Sequence, residues 1–245
     1  LVSRAPVLPD GWRLVALQSV GSTNDEAGRL ADGGAPEGTV VWAREQQGGR
    51  GRRGRAWASP PGNLYSSTVL RPDCPAARAA ELGFVAALAV GDLVPSGRAV
   101  RLKWPNDVLV DGGKIAGILL ESAVSQSGHV QHVVAGIGIN VSFAPQLPDM
   151  RYPGAALGGT VEAALEALTA GLAARLAQWR RDGFESIRTA WLAQAGPLGA
   201  TVDVRLGDGL ASGRFAGLDL DGALLLDTAD GPRRIVSGEL LGRTA

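Results

Sequence analysis

The residues best suited to chemistry lie in three short stretches. The first is Gln46-Gln47-Gly48-Gly49-Arg50-Gly51-Arg52-Arg53-Gly54-Arg55, where four arginines and four glycines fill positions 48–55. Arginine offers planar, bidentate donors to phosphate and carboxylate, and interleaved glycine lets backbone N–H groups approach an anion closely. Such a run suits neither a packed strand nor a helix, so it is a loop. It sits between apolar segments and ahead of Trp57, which favours a scaffolded anion-binding loop. The plainer alternatives are a solvated basic loop or an RNA-binding arginine–glycine tract. The second stretch is Lys103-Trp104-Pro105-Asn106-Asp107, followed across the turn Asp111-Gly112-Gly113 by Lys114-Ile115-Ala116-Gly117. Lysine is a point charge for phosphate and aspartate can hold Mg²⁺; a surface hairpin with solvated lysines is the alternative. The third, Val134-Ala135-Gly136-Ile137-Gly138-Ile139-Asn140, has two glycines of a dinucleotide fingerprint but lacks the third and the following helix. Its glycines leave room for a ligand beside a strand.

These stretches need elements to hold them. Ser22-Thr23-Asn24-Asp25 offers capping groups for a short helix that Gly33-Gly34 ends. Thr39–Ala43 and Leu64–Leu70 read as buried strands, 76–94 as a packed helix, and 115–120 and 130–141 as central strands. Val161, Leu165, Leu168, Leu172, Leu176 and Trp179 form one apolar helical stripe, capped by Thr160 and ended by Gly183. A second helix follows over 184–195. After Pro197 the period changes to two, with turn signals at Gly207-Asp208-Gly209 and Asp221-Gly222. The expected organisation is a tail over 1–11, a main domain over 12–196 and a small β-barrel of SH3-like type over 197–245.

The composition excludes several classes. The chain has 245 residues, with 24 Lys+Arg against 24 Asp+Glu, which argues against a globally basic nucleic-acid binder. A single cysteine, Cys74, allows no internal disulfide and fits a reducing cytoplasm. The longest fully apolar run, Phe84 to Val90, is far short of the ~18 residues a membrane span needs, and the N-terminus shows no signal peptide. His129 and His132 read as surface residues of a turn, and Cys74 as no nucleophile.

Together the stretches resemble the biotin protein ligases. The family's signature runs G-R-G-R-x-G, K-W-P-N-D, K-x-x-G-I-L-x-E and G-x-G-x-N. Here these fall at 49–54, 103–107, 114–121 and 136–140, preceded by Ser22-Thr23-Asn24 and Glu45-Gln46-Gln47. The match spans about Ser22 to Asn140 in the family's order. It implies an α+β fold, a class II synthetase-like catalytic domain with a central mixed β-sheet flanked by helices, followed by the small barrel. It also implies a two-step cytoplasmic ligase using biotin, ATP and Mg²⁺. Biotin becomes biotinyl-5′-adenylate and then passes to a lysine of a biotin carboxyl carrier protein.

Carried over by position, Ser22, Thr23, Asn24 and Gln46 contact the ureido head of biotin. Arg50, Gly51 and Arg52 wrap the carboxylate and phosphate, and Lys114 bridges the biotin carboxyl and the α-phosphate. Lys103, Asn106 and Arg55 hold the triphosphate, with Asp107 near the metal. Trp57 and Asn140 flank the adenine, while Tyr65, Ser67, Gly117 and Gly136 line the biotin wall. Of these, Arg52, Lys103, Asp107 and Lys114 are the expected catalytic residues. Two departures stand out: Ala56 where many relatives have a basic residue, and a shorter stretch between Trp57 and Tyr65. With about 20 residues before Ser22, no DNA-binding domain is expected, and the protein is expected to be a monomer or homodimer with no membrane partner. A lipoate or octanoate ligase of the same superfamily is the nearest alternative, but the Gly-Arg-Gly-Arg-Arg-Gly order points to biotin. A nucleic-acid-binding module using the basic loop is the alternative of another class.

The loop should order with its ligand. Fixing its eight residues costs roughly 8–16 kcal/mol, and four charge-assisted arginine bonds return roughly 6–12 kcal/mol. Amides of 47–55 should therefore exchange hydrogen rapidly in the free protein and slowly with biotin plus ATP. Equal protection in both states, measured by exchange mass spectrometry, would refute this balance.

Overall fold

The computed structural model describes residues 5–145, 153–196, 198–207 and 209–241. Pro197, Asp208 and the first four tail residues, on which parts of the sequence reading fall, lie outside them. Seven strands form the main sheet: β1 (Arg13–Val20), β2 (Thr39–Gln46), β3 (Leu64–Leu70), β4 (Val100–Lys103), β5 (Asp107–Val110), β6 (Gly113–Val124) and β7 (Val130–Ile139). Their spatial order is β1-β2-β3-β7-β6-β5-β4. β1 and β2 run parallel and every other neighbouring pair antiparallel, so the sheet is mixed, as expected.

Helix α1 (Thr23–Asp32) packs on β3, β2 and β7. Helices α2 (Glu81–Asp92) and α3 (Val161–Ala193) cross each other and bury the main apolar core. Every residue of β3 is buried, including Ser66, Ser67 and Thr68. α3 breaks at Gly183, whose φ of 75° is left-handed, so the two expected helices meet there. Thr160 caps it by accepting the Ala163 N–H at 3.2 Å.

Four sequence expectations need correction. α2 begins at Glu81, because 76–78 is a separate 3₁₀ turn. Arg78 there pairs with buried Glu81 at 2.8 Å, and Glu81 accepts the Trp179 indole N–H at 2.5 Å, tying α2 to α3. Ser22 precedes α1 with extended backbone but makes no side-chain cap bond; the Thr23 hydroxyl is instead engaged by Gln46. His132 is buried, not superficial. It lies on β7, where the two-residue period from buried Val130 turns it inward. Strands β1, β4 and β5 were also not foreseen, since they are either half-exposed or only four residues long.

The C-terminal part forms a second, antiparallel sheet of β8 (Thr201–Arg205), β9 (Leu210–Leu218), β10 (Leu224–Thr228), β11 (Gly231–Ile235) and β12 (Glu239–Leu241). Its order is β11-β10-β9-β8-β12. Among the described residues β11 and β12 are its two edges, so the expected SH3-like barrel is not closed by a ladder between them. Trp104 donates its indole N–H to the Gly222 carbonyl at 3.1 Å, and Phe84, Phe184 and Trp191 form an edge-to-face cluster beside that turn. The apolar core runs without a break from the main sheet into this one.

Asn63 fixes the chain where it leaves β7. Its amide oxygen accepts the N–H groups of Val141 (2.8 Å), Ser142 (3.1 Å) and Phe143 (3.4 Å), and its nitrogen donates to the Phe143 carbonyl at 3.0 Å. Asn63→Ala leaves the buried Val141 N–H without its acceptor, whereas Ser142 N–H keeps the Gly62 carbonyl at 3.2 Å, and should cost about 1–3 kcal/mol in urea unfolding. A loss below about 0.5 kcal/mol, the usual range for a surface change, would contradict this.

Candidate functional site

One row of cross-strand neighbours builds the floor of a large cavity. In register across the sheet stand Tyr65 on β3, Gly138 on β7, Gly117 on β6, Asp107 on β5 and Lys103 on β4. Residues directly opposite share a face, so all five project the same way. The two glycines form a flat shelf on which Trp57 lies. A Cβ on Gly138 would sit 2.5 Å from the Trp57 indole nitrogen, and one on Gly117 would sit 3.0 Å from its ring. The cavity has a volume of about 460 Å³, within the ordinary range for small-molecule sites.

At one end is a buried polar cluster. Ser22, Thr23 and Asn24 open α1, and all three are buried. Gln46 Oε1 accepts the Thr23 backbone N–H at 2.8 Å and its hydroxyl at 3.0 Å, while Gln46 Nε2 donates to Ser59 at 3.0 Å. Ser67 Oγ lies 2.7 Å from the Thr23 hydroxyl and 2.6 Å from Asn24 Oδ1. Two hydroxyl protons thus serve three oxygen–oxygen contacts, so the cluster is short of a donor. Gly136 makes room for this packing, since a Cβ there would fall 2.0 Å from Asn24 Oδ1. Tyr65 is held by the Pro60 carbonyl at 2.8 Å, and burial pushes its phenol up to about 12.

The other end is cationic. Asp107 receives Lys103 at 3.2 Å on one oxygen and Lys114 at 2.6 Å on the other. Burial pushes the Asp107 carboxyl up, but the Lys114 and Lys103 charges outweigh it and hold it below its ordinary 3.8. Asn140 donates to the Lys114 carbonyl at 3.2 Å, and Asn106 to the Ile118 carbonyl at 2.8 Å. Both fix the backbone that carries the lysines. Lys114 also stands over the Trp57 ring, 5.3 Å from its centre.

The arginine–glycine loop closes over this end as a tight hairpin. Gly51 donates to the Arg55 carbonyl at 2.7 Å and Trp57 to that of Gly49 at 2.9 Å, and Arg53 at its tip takes a left-handed φ of 57°. Gly49 is required, because a Cβ would meet Ser59 and the Trp57 carbonyl at 2.5 Å. Arg50 pairs with Asp25, and Arg55 with Glu239 of β12 through bonds of 2.9 and 2.6 Å. Half-buried Arg52 reaches the Gly238 carbonyl at 3.3 Å. Burial, then neighbouring Arg53, pulls its pKa down, though a guanidinium stays charged near neutrality. These exposed ion pairs are each worth only about 0–1 kcal/mol, too little to replace a bound anion in ordering the loop.

The structure thus brings together the residues singled out from the sequence, with one exception. Ser67 is fully buried and does not line the cavity; it holds Thr23 and Asn24 from behind. The sequence reading missed Asp25, Glu121, Gly238 and Glu239. Asp25 sits beside a recognised motif and Glu121 ends one, without a role having been read for either, but no local signal in the sequence links Glu239 to Arg55 across 184 residues. Asp107, expected near the metal, has both oxygens engaged by ammonium groups. Among the described residues no group of three or more His, Cys, Asp or Glu gathers to hold a metal. This donor set does not fit a protein-held Mg²⁺, and Asp107 is better suited to orient the two lysines.

The chain is similar to known proteins along most of its length. Residues 17–140 match the biotin/lipoate A/B protein ligase family, and residues 198–240 match the biotin protein ligase C terminal domain. The chain is 45% identical to a biotin–[acetyl-CoA-carboxylase] ligase of Paracoccus denitrificans, over 89% of this chain and 96% of that one. It is 36% identical to the ligase of the same name from Mycobacterium tuberculosis, over 92% and 87% of the two chains. Among solved structures it is similar to the biotin protein ligase from Aquifex aeolicus in complex with biotin and ATP. There the TM-score is 0.77 and the identity 28%, covering 95% of this chain and 99% of that one.

The Asp107 arrangement has a consequence for stability. The folded carboxyl titrates below the unfolded one, so its contribution is full above about pH 4 and is lost as pH falls through the folded value. Asp107→Asn removes the charge shared by two ammonium groups and the acceptor oxygen of one, and should cost about 3 kcal/mol at pH 7. Denaturant unfolding from pH 7 to pH 3 should show the gap between parent and variant narrowing below about pH 4. A gap independent of pH would mean that the carboxylate charge is not what holds the lysines.

Proposed function

The chain belongs to the biotin/lipoate A/B protein ligase family, and we infer that it acts as a biotin protein ligase. It activates biotin with ATP as biotinyl-5′-adenylate and transfers biotin to a lysine of a biotin carboxyl carrier protein. The observation that carries this reading is one cavity joining a donor-poor polar head pocket to a cationic wall. A cyclic urea supplies the N–H groups that the head pocket lacks, and a carboxylate and three phosphates suit the wall. A dithiolane head, as in a lipoate ligase, would bring no N–H to Thr23 and Asn24.

The first step joins two anions. A carboxylic acid with a pKa near 4–5 is ionised at neutral pH, so no general base is needed. A carboxylate oxygen of biotin forms a bond to the α-phosphorus, the bond from that phosphorus to the bridging oxygen breaks, and pyrophosphate leaves. Two unit anions 4 Å apart repel by about 4 kcal/mol at an effective dielectric near 20. Lys114, aimed by Asp107, is the residue placed to stand between them. Lys103 sits on the triphosphate side with Arg55, and Arg52 closes over the carboxylate and α-phosphate with Arg50 and Gly51. Trp57 and Asn140 flank the adenine. The nucleotide enters as its magnesium complex, with the metal carried on its phosphates.

In the second step the acceptor lysine's neutral amine attacks the mixed anhydride carbonyl, the bond from that carbon to the phosphate oxygen breaks, AMP leaves, and the nitrogen gives up one proton to solvent as the amide forms. No nucleophile of the enzyme is needed. Cys74 is buried, and burial raises its thiol pKa. The division into a catalytic unit over 12–196 and a C-terminal unit over 197–245 belongs to the same proposal, as does a cytoplasmic setting. No helix among the described residues is long and apolar enough to cross a membrane.

Incubation with ATP, biotin and a carrier domain, followed by intact mass of that domain, tests the activity. Addition of one biotinyl group is expected, and labelling by lipoate instead would favour the alternative. For Lys114 the test is biotin-dependent exchange of pyrophosphate into ATP. Lys114→Ala should fold normally yet exchange roughly 10²–10³-fold more slowly, the usual effect of removing a donor that strengthens in the transition state. Lys114→Arg should recover only part of the rate, because a fork is not a point charge. Near-parental exchange by a folded Lys114→Ala protein would remove Lys114 from the reaction.

A further inference from the structure

The head pocket holds two side-chain amides; the Thr23 backbone N–H fixes Gln46 Oε1 as an acceptor, and what fixes the two ends of Asn24 is less direct. Its partners differ in whether they would notice. Ser67 Oγ lies 2.6 Å from Oδ1, but a hydroxyl can donate or accept and so tolerates either end. Gly136 is opposite Ser67 in the sheet and fits closely against Oδ1. That contact is one of shape, and amide oxygen and nitrogen are nearly isosteric. The Leu119 carbonyl only accepts, yet it stands 3.4 Å from Nδ2, at the limit of a hydrogen bond. Glu121 Oε2 is 2.7 Å from Nδ2. An ionised carboxylate can only accept, and a charge-assisted bond of this length is roughly twice as strong as a neutral one. Glu121 itself does not line the cavity, and its side chain is 44% exposed.

We propose that Glu121 is a positioning residue that sets the hydrogen-bond polarity of the head pocket. By holding the Asn24 NH₂ group, it keeps Oδ1 against Gly136 and the cavity as an acceptor for a ligand N–H. This rests on the reading of the site as a biotin pocket. Without Glu121 the amide is free to turn, and a turned amide would point a donor at a donor. A second route for Glu121 exists in the structure, since Arg50 lies 3.5 Å from its other oxygen. The two routes part company when the charge is removed but the acceptor is kept.

The test is steady-state biotin-dependent pyrophosphate exchange by the full chain and by Glu121→Ala, Glu121→Gln, Asn24→Ala and the Glu121→Ala/Asn24→Ala double variant. Glu121→Ala should raise the KM for biotin about tenfold while kcat and the KM for ATP stay within about twofold. Glu121→Gln keeps an oxygen for Asn24 and should return the biotin KM to near the parental value. In the Asn24→Ala background, Glu121→Ala should add nothing. An unchanged biotin KM in Glu121→Ala beside an active parent overturns the proposal alone. So does Glu121→Gln as impaired as Glu121→Ala, or an ATP KM that moves as far as that for biotin, since each points to Arg50 instead. A parent with no biotin-dependent exchange overturns the ligase reading and the proposal with it.

Discussion

The register of the main sheet is the constraint on which the site depends. Tyr65, Gly138, Gly117, Asp107 and Lys103 come from five different strands, and only their pairing brings them into one line. A slip of one residue in any strand would turn its member to the opposite face. The register shift between Val108 and Leu109 matters for the same reason. It lets Lys114, paired with Leu109, reach back to Asp107 beside Lys103. The chain needs two ammonium groups near substrates that are themselves anions, yet one of the two lysines is almost fully buried. An ionised Asp107 between them aims both before any substrate arrives.

Glycine has a separate function in each part of this arrangement. Gly117 and Gly138 face each other across β6 and β7, and their missing side chains let an indole ring lie flat on the sheet. Gly136, one step further along the same face, admits Asn24 instead. The G-x-G of this strand therefore serves two ends of the cavity, the shelf and the head pocket. It has nothing to do with the backbone turn that the same spacing serves in a dinucleotide fold. In the loop, Gly49 answers to Ser59 and Trp57, so the hairpin closes against the strand that follows it.

The sequence made most of this site legible because its residues cluster in short motifs whose chemistry is unusual. Arginines alternating with glycine, and lysines bracketing an aspartate, are hard to explain as packing. The long helix could be read from its stripe, and Gly183 from its place between two stripes. Other features were hidden for identifiable reasons. β1 is half-exposed along its length, so its pattern lacks the contrast that marks a strand. β4 and β5 are too short to show a period. Ser67 reads like a pocket residue because it stands among them, but strand β3 is covered on both faces and leaves it behind Thr23 and Asn24. The partners of the loop arginines lie far away in the chain, and only the tertiary fold selects Glu239 from the acidic residues of the C-terminal sheet.

The second sheet is held in place by the apolar core it shares with the main sheet, and that placement is what brings Glu239 to the loop. The whole chain is electrically neutral, with 24 basic and 24 acidic residues, yet its cavity is lined by four loop arginines and two lysines. So much positive charge in one place repels itself, and in the absence of substrate it must be balanced within the protein. Asp107 balances the lysines from inside the sheet. Asp25 and Glu239 balance Arg50 and Arg55 from opposite sides of the loop, one at the start of α1 and one on β12. Among the described residues Arg52 bonds a backbone carbonyl and no carboxylate. The Trp104 bond to Gly222 ties the turn between β9 and β10 to the main domain. The C-terminal sheet therefore helps to build the cationic end of the site, above an apolar core that runs on from the main sheet.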